Sequence, residues 1–315
     1  MDNATMNAAL RAAGLAVKGG ALAMLLAAAP SASAAISSLN LANYTLAGSY
    51  NLPAVTAAEA SGITYNWDTG SLFIIGDEGG ALVEVSKTGA QLSAMKLTGF
   101  ADTEGVTYIG GGRFVITEER ERDAYLLNYA AGGSALRSTL QSADLGSTVG
   151  NIGIEGISYD PRDGSFVTVK ENAPQEVNLN TLAFGAPGTA SITSIFAAAN
   201  LGLIDLSDVQ VLATVPSLAG SADADNLLIL SQESRRLLEV DRNGNILGQL
   251  MLGALPDSVE GVTIDADGVI YLVAENGSSP MLYTFADTTE VPLPAAAWLF
   301  GSAVIGLMAG KRRRA

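Results

Sequence analysis

Short β-branched and apolar runs separated by turns rich in Gly, Asn and Asp fill the chain from about residue 44 to residue 285, and few stretches carry a helical period. Five of these runs begin just after an acidic or hydroxyl residue. They read Ser61-Gly-Ile-Thr-Tyr65, Glu104-Gly-Val-Thr-Tyr108, Glu155-Gly-Ile-Ser-Tyr159, Ser207-Asp-Val-Gln-Val211 and Glu260-Gly-Val-Thr-Ile264. A second polar position closes the next apolar run each time, in Asp77-Glu78, Glu118-Glu119, Lys170-Glu171, Gln232-Glu233 and Ala274-Glu275. A repeat of roughly 45–50 residues built from short strands predicts a β-propeller.

The first repeat divides into strands over 62–65, 72–75, 81–85 and 91–97, with turns at Asn66-Trp-Asp-Thr-Gly70 and Lys87-Thr-Gly89. Asp163-Gly164, Asn243-Gly244 and Asp267-Gly268 mark turns in later repeats. Asp241-Arg-Asn-Gly-Asn245 has a superficial likeness to a calcium loop but lacks its twelfth-position glutamate, so a hairpin turn is expected. The fifth repeat supplies strands over 261–264, 269–273 and 281–285 and then runs out. The segment Tyr44-Thr-Leu-Ala-Gly-Ser-Tyr50 has no repeat of its own and is expected to supply the missing strand, closing the ring and removing two exposed edges. The expected fold is all-β: a five-bladed propeller of four-stranded antiparallel blades over residues 42–287. The blade count depends on 180–206, where the pattern is weak, holding no further blade.

In a propeller the same position of every blade faces the same place, so one carboxylate per repeat becomes a ring around one axis. Glu104, Glu155 and Glu260 begin innermost strands, and Glu119, Glu171 and Glu275 end the strands that follow. Such a ring either binds a cation or raises its own pKa values by repulsion. Calcium takes six to eight oxygens, which three carboxylates, carbonyls and water can provide. The alternative for the first set is acceptance of backbone N–H bonds from neighbouring blades. The second set would complete the coordination or serve a structural role, with Arg120, Arg235 and Arg236 as available partners. Glu-Gly also fits a β-bulge.

Composition favours hard-cation chemistry. The chain has neither cysteine nor histidine, which excludes disulfides, Cys or His zinc sites and a histidine general base. Between the two termini lie 11 basic and 31 acidic residues. A surface so negative is a poor partner for nucleic acid.

Both ends read as addresses. Arg11 and Lys18 precede the apolar run 21–29 and Ala32-Ser-Ala34, a small-residue cleavage site, so residues 1–34 are expected to be a secretory signal peptide. The C-terminus carries Val291-Pro-Leu-Pro-Ala-Ala296, an apolar stretch from Ala295 to Gly310 containing Trp298, and Lys311-Arg-Arg-Arg314. The stretch is short for a full span, and the basic cluster would hold its end on the cytoplasmic side. This order of parts, 291–315, resembles a PEP-CTERM sorting signal, with Pro292-Leu-Pro294 in place of Pro-Glu-Pro. The resemblance implies processing by an exosortase, an inner-membrane-anchored intermediate, then an outer-surface or extracellular location alongside exopolysaccharide or another envelope component.

Residues 46–285 resemble the SdiA-regulated family of bacterial β-propellers. The likeness rests on Ser61-Gly-Ile-Thr-Tyr-Asn66, Asp102-Thr-Glu-Gly-Val-Thr-Tyr108, Gly111-Gly-Arg-Phe-Val-Ile-Thr-Glu-Glu-Arg120, Glu155-Gly-Ile-Ser-Tyr-Asp-Pro161, Asp205-Leu-Ser-Asp208, Ser231-Gln-Glu-Ser-Arg235 and Glu260-Gly-Val262. It implies a five-bladed propeller with a bound calcium ion. Asp208 stands where the family usually has glycine, and would either add a carboxylate to the axis or fill a turn. Three functions follow: a non-enzymatic, calcium-stabilised binding module; a calcium-dependent phosphoesterase or lactonase with a base such as Glu119; and a polysaccharide binder with Trp67 as a platform. A phosphoesterase would want more Lys and Arg than this body has.

Overall fold

The computed structural model describes residues 38–288 except 78, 79, 148, 149, 151 and 277. The signal peptide and the sorting signal expected at the two ends lie outside the described residues. Among the described residues no helix is long and apolar enough to cross a membrane.

Strand β1 (Tyr44–Asn51) is followed by a first antiparallel run, β2 (Ala60–Asn66), β3 (Ser71–Gly76), β4 (Ala81–Val85) and β5 (Gln91–Thr98). Next come β6 (Thr103–Gly110), β7 (Arg113–Glu118), β8 (Asp123–Asn128), β9 (Ser134–Leu136) and β10 (Gln141–Asp144). The short β9 crosses back to pair parallel with β5, while β10 completes the second run beside β8. The third run is β11 (Ile154–Tyr159), β12 (Phe166–Lys170), β13 (Glu176–Ala183) and β14 (Thr189–Phe196). The fourth is β15 (Asp208–Val211), β16 (Leu227–Ser231), β17 (Arg236–Val240) and β18 (Ile246–Met251). The fifth, β19 (Val259–Ile264), β20 (Ile270–Ala274) and β21 (Met281–Asp287), takes its fourth strand from β1, with Tyr44 opposite Asp287 and Asn51 opposite Met281. The weakly patterned stretch 180–206 thus forms the end of β13, all of β14 and a short 3-10 turn at Ala198–Leu201.

The chain is all-β and propeller-like. Each run starts with its innermost strand, and β2, β6, β11, β15 and β19 touch one another in a closed cycle. One hydrogen-bond pattern stitches this cycle. In four of the five motifs the hydroxyl three residues in accepts a backbone N–H from the next inner strand: Tyr108 N on Thr64 Oγ1 (3.1 Å), Tyr159 N on Thr107 Oγ1 (3.0 Å), Val211 N on Ser158 Oγ (2.9 Å) and Tyr65 N on Thr263 Oγ1 (3.1 Å). Gln210 stands at the fourth run's equivalent position and accepts instead from Thr263 Oγ1 at 2.9 Å.

Apolar clusters fill the gaps between adjacent runs. Ile63 and Ile74 meet Tyr271 and Val273, Phe73 and Ile75 meet Val106 and Phe114, and Val167 and Val169 meet Val209 and Ile229. Strands β3, β12, β16 and β20 are buried throughout because each is covered on both faces. The outer β14 and β18 are largely exposed. Trp67 packs against Tyr108, ring centroids 4.6 Å apart, within the inter-run clusters, so it is a packed loop aromatic. Asp241 accepts from the backbone of Asn243 and Asn245 in the β17–β18 turn, as expected of a hairpin.

Candidate metal centre

The first motif residue sits at a bulge in four of the five runs. Register shifts between Ala60 and Gly62, between Thr103 and Val106, between Ile154 and Gly156, and between Val259 and Gly261 each leave Ser61, Glu104, Glu155 or Glu260 without an opposite partner. A bulge re-aims a side chain away from the alternation of the pleat. The glycine after each of these residues has a spatial reason. A Cβ on Gly62, Gly105, Gly156 or Gly261 would stand closer than 3.0 Å to the Glu104 carbonyl oxygen, Thr117 Oγ1, the Asp208 side chain or the Ser61 carbonyl oxygen. Glycine here lets adjacent inner strands approach at their first residues.

The second position is the residue immediately after the second strand of each run: Asp77, Glu119, Glu171, Gln232 and Glu275. Backbone bonds tie these residues to the inner strand's entry, from Glu119 N to Asp102 O at 2.9 Å and from Glu275 N to Ser258 O at 3.1 Å. The turns that follow hold Arg122, Ala173, Arg235 and Asn276 at φ of 52°, 52°, 52° and 44°, with Gly80 at 55° in the first run. Four non-glycine residues in the left-handed region around one rim mark strain of the kind that collects at functional sites.

All ten positions line one polar cavity of about 250 Å³. It contains the six glutamates singled out from the sequence: Glu104, Glu155, Glu260, Glu119, Glu171 and Glu275. Three more residues join them: Asp102, Asp205 and Arg120. Asp102 and Asp205 stand two residues before the first motif position in the second and fourth runs, a spacing legible in Asp102-Thr-Glu104 and Asp205-Leu-Ser207. Buried Asp205 accepts from Ser231 Oγ and from the backbone of Gln232 (3.1 Å) and Glu233, which fixes the fourth run's rim. Gln232 donates from Nε2 to Glu260 Oε1 at 3.0 Å, and Gly153 N donates to Glu119 Oε1 at 3.0 Å.

Not every expected partner reaches the cavity. Glu118 turns away to Arg137 Nη1, 2.7 Å, and Glu233 is exposed, with the neutral Gln232 taking the lining position. Arg120 forms an ion pair with Asp102. Arg235 donates to backbone carbonyls of Gly253 and Leu255, and Arg236 to Gln249 Oε1, so neither pairs with the second set. Asp208 adds no carboxylate to the cavity. Fully buried, it accepts from its neighbour Val209 N (2.7 Å) and from Val262 N (2.8 Å) on the next inner strand. Its carboxylate fills the space left by Gly156 and stitches β15 to β19.

The cavity concentrates negative charge in a low-dielectric setting. Burial, then the charges of Asp102 and Asp77, pushes Glu104 up to about 8. Burial, then Glu275 and Glu104, pushes Glu260 up to about 9. Burial, then Glu104, Glu119 and Glu171, pushes Glu155 up to about 10. Glu171 and Glu275 are raised as well, again first by burial. One oxygen each from Asp102, Glu104 and Glu119 lies within 4.8 Å of the others, a spacing that a single cation spans. The donors are hard oxygens, which suit calcium or magnesium.

A family model described as SdiA-regulated matches residues 37–285. The chain belongs to the SdiA-regulated family. Its inner-strand motifs and rim positions are therefore those of an SdiA-regulated protein. Among solved structures it is similar to a luciferin-regenerating enzyme, at 10% identity and TM-score 0.48, covering 76% of this chain and 95% of that one. It is similar to virginiamycin B lyase from Staphylococcus aureus at 11% identity and TM-score 0.40, covering 72% and 66%. A third similar structure is the Cps50 (Swd1) β-propeller domain of Myceliophteria thermophila, at 9% identity and TM-score 0.38, covering 72% and 68%.

Proposed function

We propose that this SdiA-regulated protein is an exported five-bladed β-propeller that binds calcium in its acidic cavity and serves as a non-enzymatic binding or structural module. The observation that carries this reading is the convergence of Asp102, Glu104 and Glu119 oxygens within 4.8 Å, in a cavity lined by the repeat's carboxylates. Among the described residues, nine carboxyl groups against one guanidinium leave a charge excess that a divalent cation offsets. Asp102, Glu104 and Glu119 would hold the ion, and Glu155, Asp77 and water would complete an oxygen shell. The leader and tail motifs support export, processing by an exosortase and attachment at the envelope or in an exopolysaccharide matrix.

The test is calcium titration calorimetry on chelated protein. One site is expected in the unaltered chain, and a loss of at least about tenfold in affinity in Glu104→Gln/Glu119→Gln, because removing two of three anionic ligands weakens coordination of a hard cation. Equal heats in the two proteins would reject the assignment.

One observation favours a second reading, a calcium-dependent hydrolase. The cavity's 250 Å³ exceeds what one ion and its waters occupy, leaving room for a small ligand. Calcium would polarise a carbonyl or phosphoryl oxygen there, with a rim carboxylate as base. Calcium-dependent turnover in a screen of lactones and phosphoesters, abolished in the same double variant, would favour this reading over the first.

A further inference from the structure

Among the described residues one guanidinium lines the cavity, in a place that the repeat does not explain. Arg120 follows Glu119 directly and lines the same cavity. Its Nε forms an ion pair with Asp102 Oδ2, a buried oxygen that accepts no hydrogen bond among the described residues. Asp102 is one of the three residues whose oxygens cluster within 4.8 Å. The two partners differ sharply in exposure, with the Arg120 side chain 56% exposed and that of Asp102 4%. The anion is thus fixed inside the wall, while the cation reaches it from the mouth.

We propose that Arg120 is a tethered counter-ion that occupies Asp102 when the cavity holds no metal and must yield that carboxylate to an entering divalent cation. This rests on the reading of the cavity as a calcium site and names what sets that site's affinity. Two positive groups on one buried carboxylate repel each other, and the exposed one gives way because solvent hydrates it at once. A guanidinium keeps its charge at every physiological pH, so the competition does not fade as the glutamates lose protons. The tether makes the competitor's local concentration independent of salt and of free ligand.

Asp102 pairs with Arg120, but other cavity carboxylates have different fixed partners. Glu119 accepts from Gly153 N and Glu260 from Gln232, both neutral donors. A neutral donor orients a carboxylate without opposing a metal; the cation paired with Asp102 opposes one. Arg120 is therefore a positioning residue toward the metal, and its removal separates from an ordinary structural defect. In the ion-free protein its loss leaves carboxylates facing one another. In the loaded protein the metal replaces it.

The experiment compares the full chain with its Arg120→Gln and Arg120→Lys variants by calcium titration calorimetry and by thermal denaturation with and without calcium. The proposal expects Arg120→Gln to bind calcium about tenfold more tightly or better, and Arg120→Lys to fall near the unaltered protein. It also expects Arg120→Gln to melt lower than the unaltered protein without calcium but at the same temperature with it. Unchanged or weaker binding in Arg120→Gln overturns the proposal, as does an equal loss of melting temperature in both states. Calcium binding by Arg120→Gln alone upholds the proposal and overturns calcium binding by the native cavity. Binding by neither protein overturns both.

Discussion

Single residues carry the cavity's chemistry, and four glycines make its geometry possible. Gly105 shows this best, since a Cβ there would press on both Thr117 Oγ1 and the backbone nitrogen of Ile157. Gly105→Ala is expected to cost about 1–3 kcal/mol by forcing apart two inner strands, measured by urea denaturation. An unchanged midpoint would remove close approach as the reason for glycine. Asp208 shows how a residue can be misjudged from sequence. Its type predicts an axial ligand or a turn, yet it occupies the glycine slot and bonds two backbone amides. Asp208→Ala should cost about 1–3 kcal/mol, the penalty of unsatisfied buried N–H groups, and leave calcium affinity unchanged. Weakened calcium binding would return Asp208 to the cavity's chemistry.

At the scale of elements, the repeat was legible because strand boundaries and motif positions keep step. The first member enters the inner strand and the second follows the next strand, so the ten positions meet wherever the runs do. Asp102 and Asp205 escaped because an acid two residues upstream of the motif is a cavity residue only in the second and fourth repeats. The other three repeats have no cavity-lining acid at that spacing. The stretch 134–144 escaped for another reason. Strands β9 and β10 are three and four residues long and separated by a 3-10 turn, too short to show a period. The closing strand, by contrast, was readable from what the fifth repeat lacked. Deleting residues 38–51 would expose the whole edge of β21, and the expected result is association or precipitation on size-exclusion chromatography. A monomer of unchanged stability would show that closure by β1 is dispensable.

The whole molecule couples charge to stability. Without metal, Glu104, Glu260 and Glu155 are held up to about 8, 9 and 10, against an ordinary 4.5. The folded state therefore holds more protons than the unfolded state between the ordinary and the raised values. Stability of the chelated protein should fall as pH rises through that window. On the proposed reading calcium would take the deprotonated groups, so its stabilising effect should grow over the same range. Melting temperatures of chelated and calcium-loaded protein, followed from about pH 5 to about pH 9, would show the two curves diverging. Parallel curves would mean that the cavity's carboxyl groups are not where calcium acts.

The most direct measurement of the central claim is the metal content of the protein purified without added calcium, determined by elemental analysis before and after chelation. One calcium per chain is expected, removed by chelator and regained on dialysis against calcium. A chain that carries no calcium and takes up none would contradict it, and would leave the carboxylate ring as a structural feature of an interaction propeller.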